Sequence, residues 1–146
     1  MASDKTITSA NSIFTLTAGS VFPVPQQLSG YAVDSAFAAD ALVLAETRVG
    51  VDGKLSAGYT PTSTKMTISL AADSPSRAIF MAITQFVKTG REIIFLAAHI
   101  TLPATGEVFT CNRGVLTVSK QMPDAKKVLE ATEYEIVFES VDRSVI

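Results

Sequence analysis

The sequence predicts a β-rich α+β domain: an antiparallel barrel or sandwich with one packed helix and a long protruding hairpin. Most segments alternate apolar and polar residues with a period of two, which is typical of half-buried antiparallel strands. One segment instead carries apolar residues at helical spacing. Strands precede and follow that helix, an order typical of α+β domains. At 146 residues, the chain suits a single domain spanning residues 1–146.

Alternation is clearest in two segments of the chain. Met66, Ile68 and Leu70 alternate with polar residues, and a C-terminal segment carries apolar residues between glutamates. Gly114 interrupts a third segment and predicts a bulge there. The predicted strands span residues 12–17, 28–34, 41–50, 53–60, 64–71, 92–102, 107–119 and 132–141, with Pro23, Pro25, Pro61 and Gly106 in the turns.

The helix is predicted over residues 75–89. Asp73 or Ser74 can cap its N-terminus, Pro75 suits the first turn, and Gly90 suits the C-cap. Three apolar residues at helical spacing predict the face that packs on the sheet: Ile79, Ile83 and Phe86.

Residues 46–60 predict a hairpin turned by Asp52-Gly53. Its arms contain Gly50 and Gly58, and most of their other side chains are small or polar. An isolated two-stranded hairpin is marginally stable in water, so this one needs a partner surface.

Composition excludes several classes of protein. The formal net charge is −2, and the longest basic run is Lys126-Lys127, unlike the clustered footprint of a nucleic-acid binder. Cys111 is the single cysteine, so no intrachain disulfide is possible and a cytosolic origin is expected. The first residues lack a signal-peptide pattern, and no apolar run suits a membrane helix, so we expect a soluble chain without membrane contact.

Candidate chemistry is sparse. His99 is the single histidine and is interpreted as structural. Cys111 lies mid-strand with Arg113 predicted on the same face, and a core thiol is the favoured interpretation. Glu133, Glu135 and Glu139 could form a carboxylate or calcium site, but a solvated or subunit-facing strand face is favoured. We expect no enzyme, metal or cofactor, and a monomeric ligand-binding barrel remains an alternative.

The segments "ITSANSIFTLTA", "VGVDGKLSAGYTPT", "ADSPSRAIF" and "PDAKKVLEATEYEIVFES" together resemble a family of phage tail structural proteins. The resemblance extends from about Ile7 to Ser140 and fits best the tail tube proteins of contractile-tailed phages. It implies a virion protein, assembled in the host cytoplasm, that forms hexameric rings stacked into a tube. The implied partners are copies of itself, the tail sheath, and baseplate and tail terminator proteins. The resemblance further implies that phage DNA passes through the lumen without specific binding. A terminal or baseplate-proximal ring subunit is the close alternative.

The resemblance also implies roles for two groups of residues. The hairpin is expected to contact neighbouring subunits through Arg48, Gly50, Asp52, Gly53, Lys54 and Tyr59. The acidic face of residues 132–141 is expected to line the lumen or a wet subunit seam. A neutral or acidic wall lets DNA slide, whereas a basic wall would bind it.

Overall fold

The computed structural model describes residues 12–19, 21–31 and 36–145. Within these residues the chain is β-rich with one helix, as the alternation predicts. The elements are β1 (Ile13–Ala18), β2 (Phe22–Gln27), β3 (Phe37–Ala39), β4 (Glu46–Val49), β5 (Leu55–Gly58), β6 (Thr64–Leu70), α1 (Arg77–Gly90), β7 (Leu96–Leu102), β8 (Glu107–Ser119) and β9 (Thr132–Val145).

Seven strands form one antiparallel sheet in the order β2-β1-β7-β8-β9-β6-β3. The strands β4 and β5 form a separate two-stranded sheet, which is the predicted hairpin. The larger sheet is strongly curled. The evidence is that the ring centroids of Phe14 on β1 and Phe37 on β3 lie only 5.3 Å apart. Strand β3 is one edge of the sheet and β1 is next to the other edge, so the two ends of the sheet converge over the core.

The core lies on one face of the curled sheet. Its strands contribute alternate residues, as the period-two pattern predicts. The fully buried large side chains include Phe14, Leu16, Ile68, Leu70, Leu96, Tyr134, Ile136 and Phe138.

Helix α1 closes this core. The Phe80 ring stacks on the Tyr134 ring with 4.3 Å between centroids, and Ile83 is buried at 0% exposure. Ile79 is partly buried against the same cluster. Phe86, however, is 43% exposed and is a correction to the predicted face. The buried stripe runs through Phe80, Ile83 and Val87, and Phe86 lies at its margin.

The ends of α1 also differ from prediction. The N-cap is Ser76, whose side chain makes no cap hydrogen bond to the helix. Its hydroxyl instead accepts from the Ser29 N–H at 2.7 Å, which ties the preceding loop to the sheet. Gly90 is the last helical residue, and Arg91 is the C-cap in the left-handed region at φ 55°. The Arg91 N–H donates to the Val87 carbonyl at 2.8 Å.

The first part of the sheet was the hardest to predict. The expected strand at 28–34 is absent from residues 28–30, Tyr31 makes only an isolated bridge to Leu70, and residues 32–35 lie outside the described residues. The strand lies at β2 instead, where two prolines suggested a turn. The Leu28 N–H donates to the Phe14 carbonyl at 2.8 Å. Strand β2 pairs with β1 alone and forms one edge of the sheet, where proline is tolerated.

Candidate assembly surface

The hairpin β4–β5 extends away from the larger sheet, and every residue from 46 to 59 is exposed. Its turn is closed by a hydrogen bond from the Gly50 N–H to the Lys54 carbonyl at 3.0 Å. The Asp52 carboxylate accepts the Lys54 N–H at 3.0 Å, and Gly53 adopts φ 80°. A glycine suits that left-handed position, so the Asp52-Gly53 turn forms where the sequence predicts it.

The two faces of the hairpin differ in polarity. Strand pairing places Val49 opposite Leu55 on one face and Arg48 opposite Ser56 on the other. Val49 and Leu55 are 64% and 61% exposed, and Val51 at the tip is fully exposed. The sequence suggested mostly small and polar arms. The register shows that the hairpin carries an apolar face and a charged face, and the described residues leave both uncovered.

The hairpin charges are also without ion-pair partners. Among the described residues, the ion pairs involve Lys65, Arg113, Lys120 and Arg143 as the cations. Arg48 and Lys54 take part in none of them. Tyr59, at the root of the hairpin, is 78% exposed. The predicted interface residues therefore lie together on one protruding element, available to a partner.

The segment between β3 and β4 is a second exposed apolar surface. Residues 41–45 belong to no strand or helix, and their backbone makes no hydrogen bond to another described residue. Leu42, Val43 and Leu44 are 55%, 56% and 67% exposed. Three adjacent exposed aliphatic side chains in an unpaired segment are typical of a surface that a partner covers.

A cleft of about 340 Å³ lies where this segment meets the hairpin root and the sheet. Its aliphatic wall comes from Leu42 and Val43, and Tyr59 closes the hairpin side. Two carboxylate residues contribute to its lining, Asp40 after β3 and Glu139 on β9. The cleft therefore combines apolar surface with negative charge.

The acidic face of β9 has partly basic surroundings. Tyr134, Ile136 and Phe138 point into the core, so the glutamates take the other face, as predicted. Glu135 lies 3.4 Å from the Lys65 ammonium, and Glu139 lies 4.0 Å from the Arg113 guanidinium. Glu133 has no ion pair among the described residues. The face is mixed in charge, because neighbouring strands bring cations that the sequence alone does not place there.

Arg113 lies in the predicted bulge beside Gly114. The pairing of β7 with β8 shifts between Ala98 and Leu96, and Arg113 has φ 49°. Its guanidinium lies 4.3 Å from the centre of the Phe95 ring, a cation–π contact. This corrects the prediction that Arg113 shares a face with Cys111. The extra residue of a bulge breaks strict alternation, so the cation points outward and the thiol inward.

Cys111 and His99, which the sequence offered as candidate reactive residues, lie in surroundings typical of structural residues. Cys111 is fully buried, and desolvation raises the pKa of its thiol to about 11. A thiol with that pKa is protonated and unreactive near neutral pH. His99 is exposed, with its Nδ1 atom 3.4 Å from the Thr110 hydroxyl. Across the described ranges, His, Cys, Asp and Glu residues form no group of three that could hold a metal. The described helix is also too short and too polar to span a membrane.

The fold is that of contractile injection system components. A chain of the anti-feeding prophage baseplate matches with a TM-score of 0.66 and 8% identity, over 99% of this chain and 98% of that chain. A chain of the tube-terminating cap of that prophage matches with a TM-score of 0.60 and 12% identity, over 100% and 95%. A chain of the sheath/tube terminator of an extracellular contractile injection system, PVC, matches with a TM-score of 0.56 and 12% identity, over 99% and 100%.

The sequence itself identifies the family. The profile of the family described as tail fiber protein gp32 matches residues 5–142, nearly the whole chain. The chain belongs to this family. The match confirms the resemblance to phage tail proteins. It does not distinguish a tube protein from other components of the tail. No curated protein matches the sequence.

Proposed function

We propose that the chain is a ring-forming structural subunit of a phage tail, with no catalytic role, in or at the end of the tube that conducts the genome. The observation that carries the proposal is the hairpin β4–β5. It forms a sheet of its own, exposes an apolar face, and carries Arg48 and Lys54, which form no ion pair among the described residues. A two-stranded ribbon of this kind gains stability by packing on another chain.

The two edges of the larger sheet differ in how well they could pair with another copy of the chain. On the β2 edge, Pro25 has no N–H to offer an added strand, which protects that edge from indiscriminate pairing. On the other edge, β3 spans only Phe37–Ala39 and continues into the unpaired aliphatic segment. Copies of the chain would therefore associate through the hairpin and the β3 edge. The outer edge of β2 would stay without a partner strand.

In this proposal the outer face of β9 lines the lumen or a wet seam between subunits. Glu133, Glu135 and Glu139 make the face acidic, and Lys65 and Arg113 offset part of that charge. A wall of near-neutral or negative charge does not retain DNA. The other expected partners are the sheath and the baseplate and terminator proteins, which would contact outer surfaces or ring faces.

Negative-stain electron microscopy of the purified protein tests the proposal. We expect rings, or tubes of stacked rings, whose population grows with protein concentration. Elongated fibres would instead indicate a fibre component. Uniform particles of monomer size at all concentrations would favour a ligand-binding barrel and contradict the proposal.

A terminal or baseplate-proximal ring is the second candidate. Its support is the likeness of the fold to chains of a baseplate and a cap, with TM-scores of 0.66 and 0.60. A terminal subunit would form single rings that do not stack, even at high concentration. A tube subunit would continue into tubes, so the same micrographs distinguish the two.

A further inference from the structure

We propose that the tip of the hairpin β4–β5 of one copy enters the cleft at the hairpin root of the next copy. The inference rests on the proposed ring assembly and adds the acceptor site to it. The occupant is a second copy of this chain, because the tip and the cleft complement each other in polarity and in charge.

The acceptor side is the cleft that Asp40, Leu42, Val43, Tyr59 and Glu139 help to line. Leu42 and Val43 are more than half exposed there. Asp40 has no ion pair among the described residues. Glu139 pairs only loosely with Arg113 at 4.0 Å, and both side chains are more than 60% exposed. The cleft thus offers aliphatic contact surface beside carboxylates that can still receive a cation.

The donor side is the hairpin tip. Val51 is fully exposed, and Val49 and Leu55 flank it on one face. Arg48 and Lys54 carry positive charge on the same hairpin and form no ion pair among the described residues. The hairpin also carries two carboxylates: Asp52 accepts the Lys54 backbone N–H within the turn, and Glu46 lies at the base, away from the tip. The apolar surface of the tip and the adjacent Lys54 therefore match the aliphatic wall and the carboxylates of the cleft.

The arrangement predicts the symmetry class of the contact. Tip and cleft are different surfaces of one chain, so their contact is heterologous. Repeated heterologous contacts either close into a ring or continue as a filament. Because Tyr59 belongs both to the cleft and to the hairpin root, each copy offers its cleft directly beside the hairpin that it donates to the following copy.

Mixed cysteine cross-linking tests the contact directly. One tagged population carries Val51→Cys and a second, differently tagged population carries Val43→Cys, while buried Cys111 stays in place. A disulfide forms only when the two Cα atoms come within about 7 Å. We expect a mixed cross-linked dimer on mild oxidation under assembling conditions. The control pairs Val51→Cys with Met122→Cys. Met122 is more exposed than Val43, at 73% against 56%, but lies outside the cleft, so this pair should not cross-link.

Charge reversal provides the second measurement. Asp40→Lys and Lys54→Asp should each raise the protein concentration needed for half-assembly by roughly three- to tenfold, and the double variant should recover much of that loss. Lys126→Glu is the matched control on an exposed loop and should leave assembly unchanged. If wild-type rings form but the Val51–Val43 cross-link does not, the inference is wrong and the ring proposal stands. If neither rings nor cross-links form, both are wrong.

Discussion

Gly114 on β8 lies opposite Phe138 on β9, and the Phe138 ring fills the space that a Gly114 side chain would need. A Cβ atom at Gly114 would lie 2.5 Å from two ring carbons of Phe138. Real side chains do not approach so closely. The glycine therefore permits the ring to pack into the core across the longest strand pair of the sheet.

We expect Gly114→Ala to destabilise the fold by about 1–3 kcal/mol, because the Phe138 ring or the strand must move. The matched control is Gly90→Ala, since beyond the backbone of the helix itself a Cβ there would meet no atom within 4 Å. Thermal unfolding followed by circular dichroism measures both. Equal melting temperatures for the two variants would contradict the packing described for Phe138.

Ile83→Asp should destabilise the protein by several kcal/mol. The substitution places an unpaired carboxylate on the buried face of α1, at a position with 0% exposure. Phe86→Asp is the control on the same helix, since Phe86 is 43% exposed, and its effect should be much smaller. Chemical denaturation of both variants measures the difference. A larger loss at Phe86 than at Ile83 would mean that the buried stripe of α1 is misplaced.

The buried thiol of Cys111 predicts a pH dependence of stability. Desolvation raises its pKa from 9.0 to about 11, so the folded chain holds the thiol proton more tightly than the unfolded chain. Its contribution is complete below about pH 9 and is lost as the pH rises toward 11. Wild type should therefore lose unfolding free energy over this range relative to Cys111→Ala. Tyr31, whose pKa burial raises to about 12, is common to both proteins and cancels in the difference.

Denaturant titrations of both proteins at pH 8, 9, 10 and 11 measure this effect. The difference in unfolding free energy between wild type and variant should narrow as the pH increases. A constant difference would show that Cys111 ionises as easily in the folded chain as in the unfolded chain.

Reversing the charge of the acidic face should create DNA affinity. In the proposed lumen, replacing Glu133 and Glu135 together with Lys makes the wall more basic, while Glu139 is kept because it also lines the acceptor cleft. Purified rings of this double variant should retain double-stranded DNA at low salt and release it as salt rises, because counterion release weakens the contacts. Wild-type rings should retain little DNA. Loss of rings in the variant would instead place these glutamates in a subunit seam.

Regular alternation made much of the sheet predictable. Strands β6 and β9 begin where the sequence predicts, because their apolar residues recur at every second position. Strand β8 also has the predicted bounds, although the bulge at Arg113 interrupts its alternation. Strand β2 was missed because Pro23 and Pro25 are typical turn residues. Their position on a sheet edge, where proline is tolerated, depends on the pairing of distant strands.

The candidate surface was only partly predictable for the same reason. The turn of the hairpin follows from Asp52-Gly53 alone. Its apolar face depends on the pairing of Val49 with Leu55, and the cation beside Glu135 depends on a neighbouring strand. The cleft joins residues almost a hundred positions apart in the chain, Asp40 and Glu139. Such proximity is a property of the sheet order and leaves no local signal in the sequence.

The central claim is that the hairpin is an assembly element, and its removal tests this most directly. Deleting residues 50–55 removes the tip and the turn but none of the buried core. Electron microscopy of the deletion variant and wild type at equal concentration is the measurement, with thermal unfolding as the check on folding. We predict a folded variant that forms neither rings nor tubes. Normal rings or tubes from the deletion variant would contradict the account.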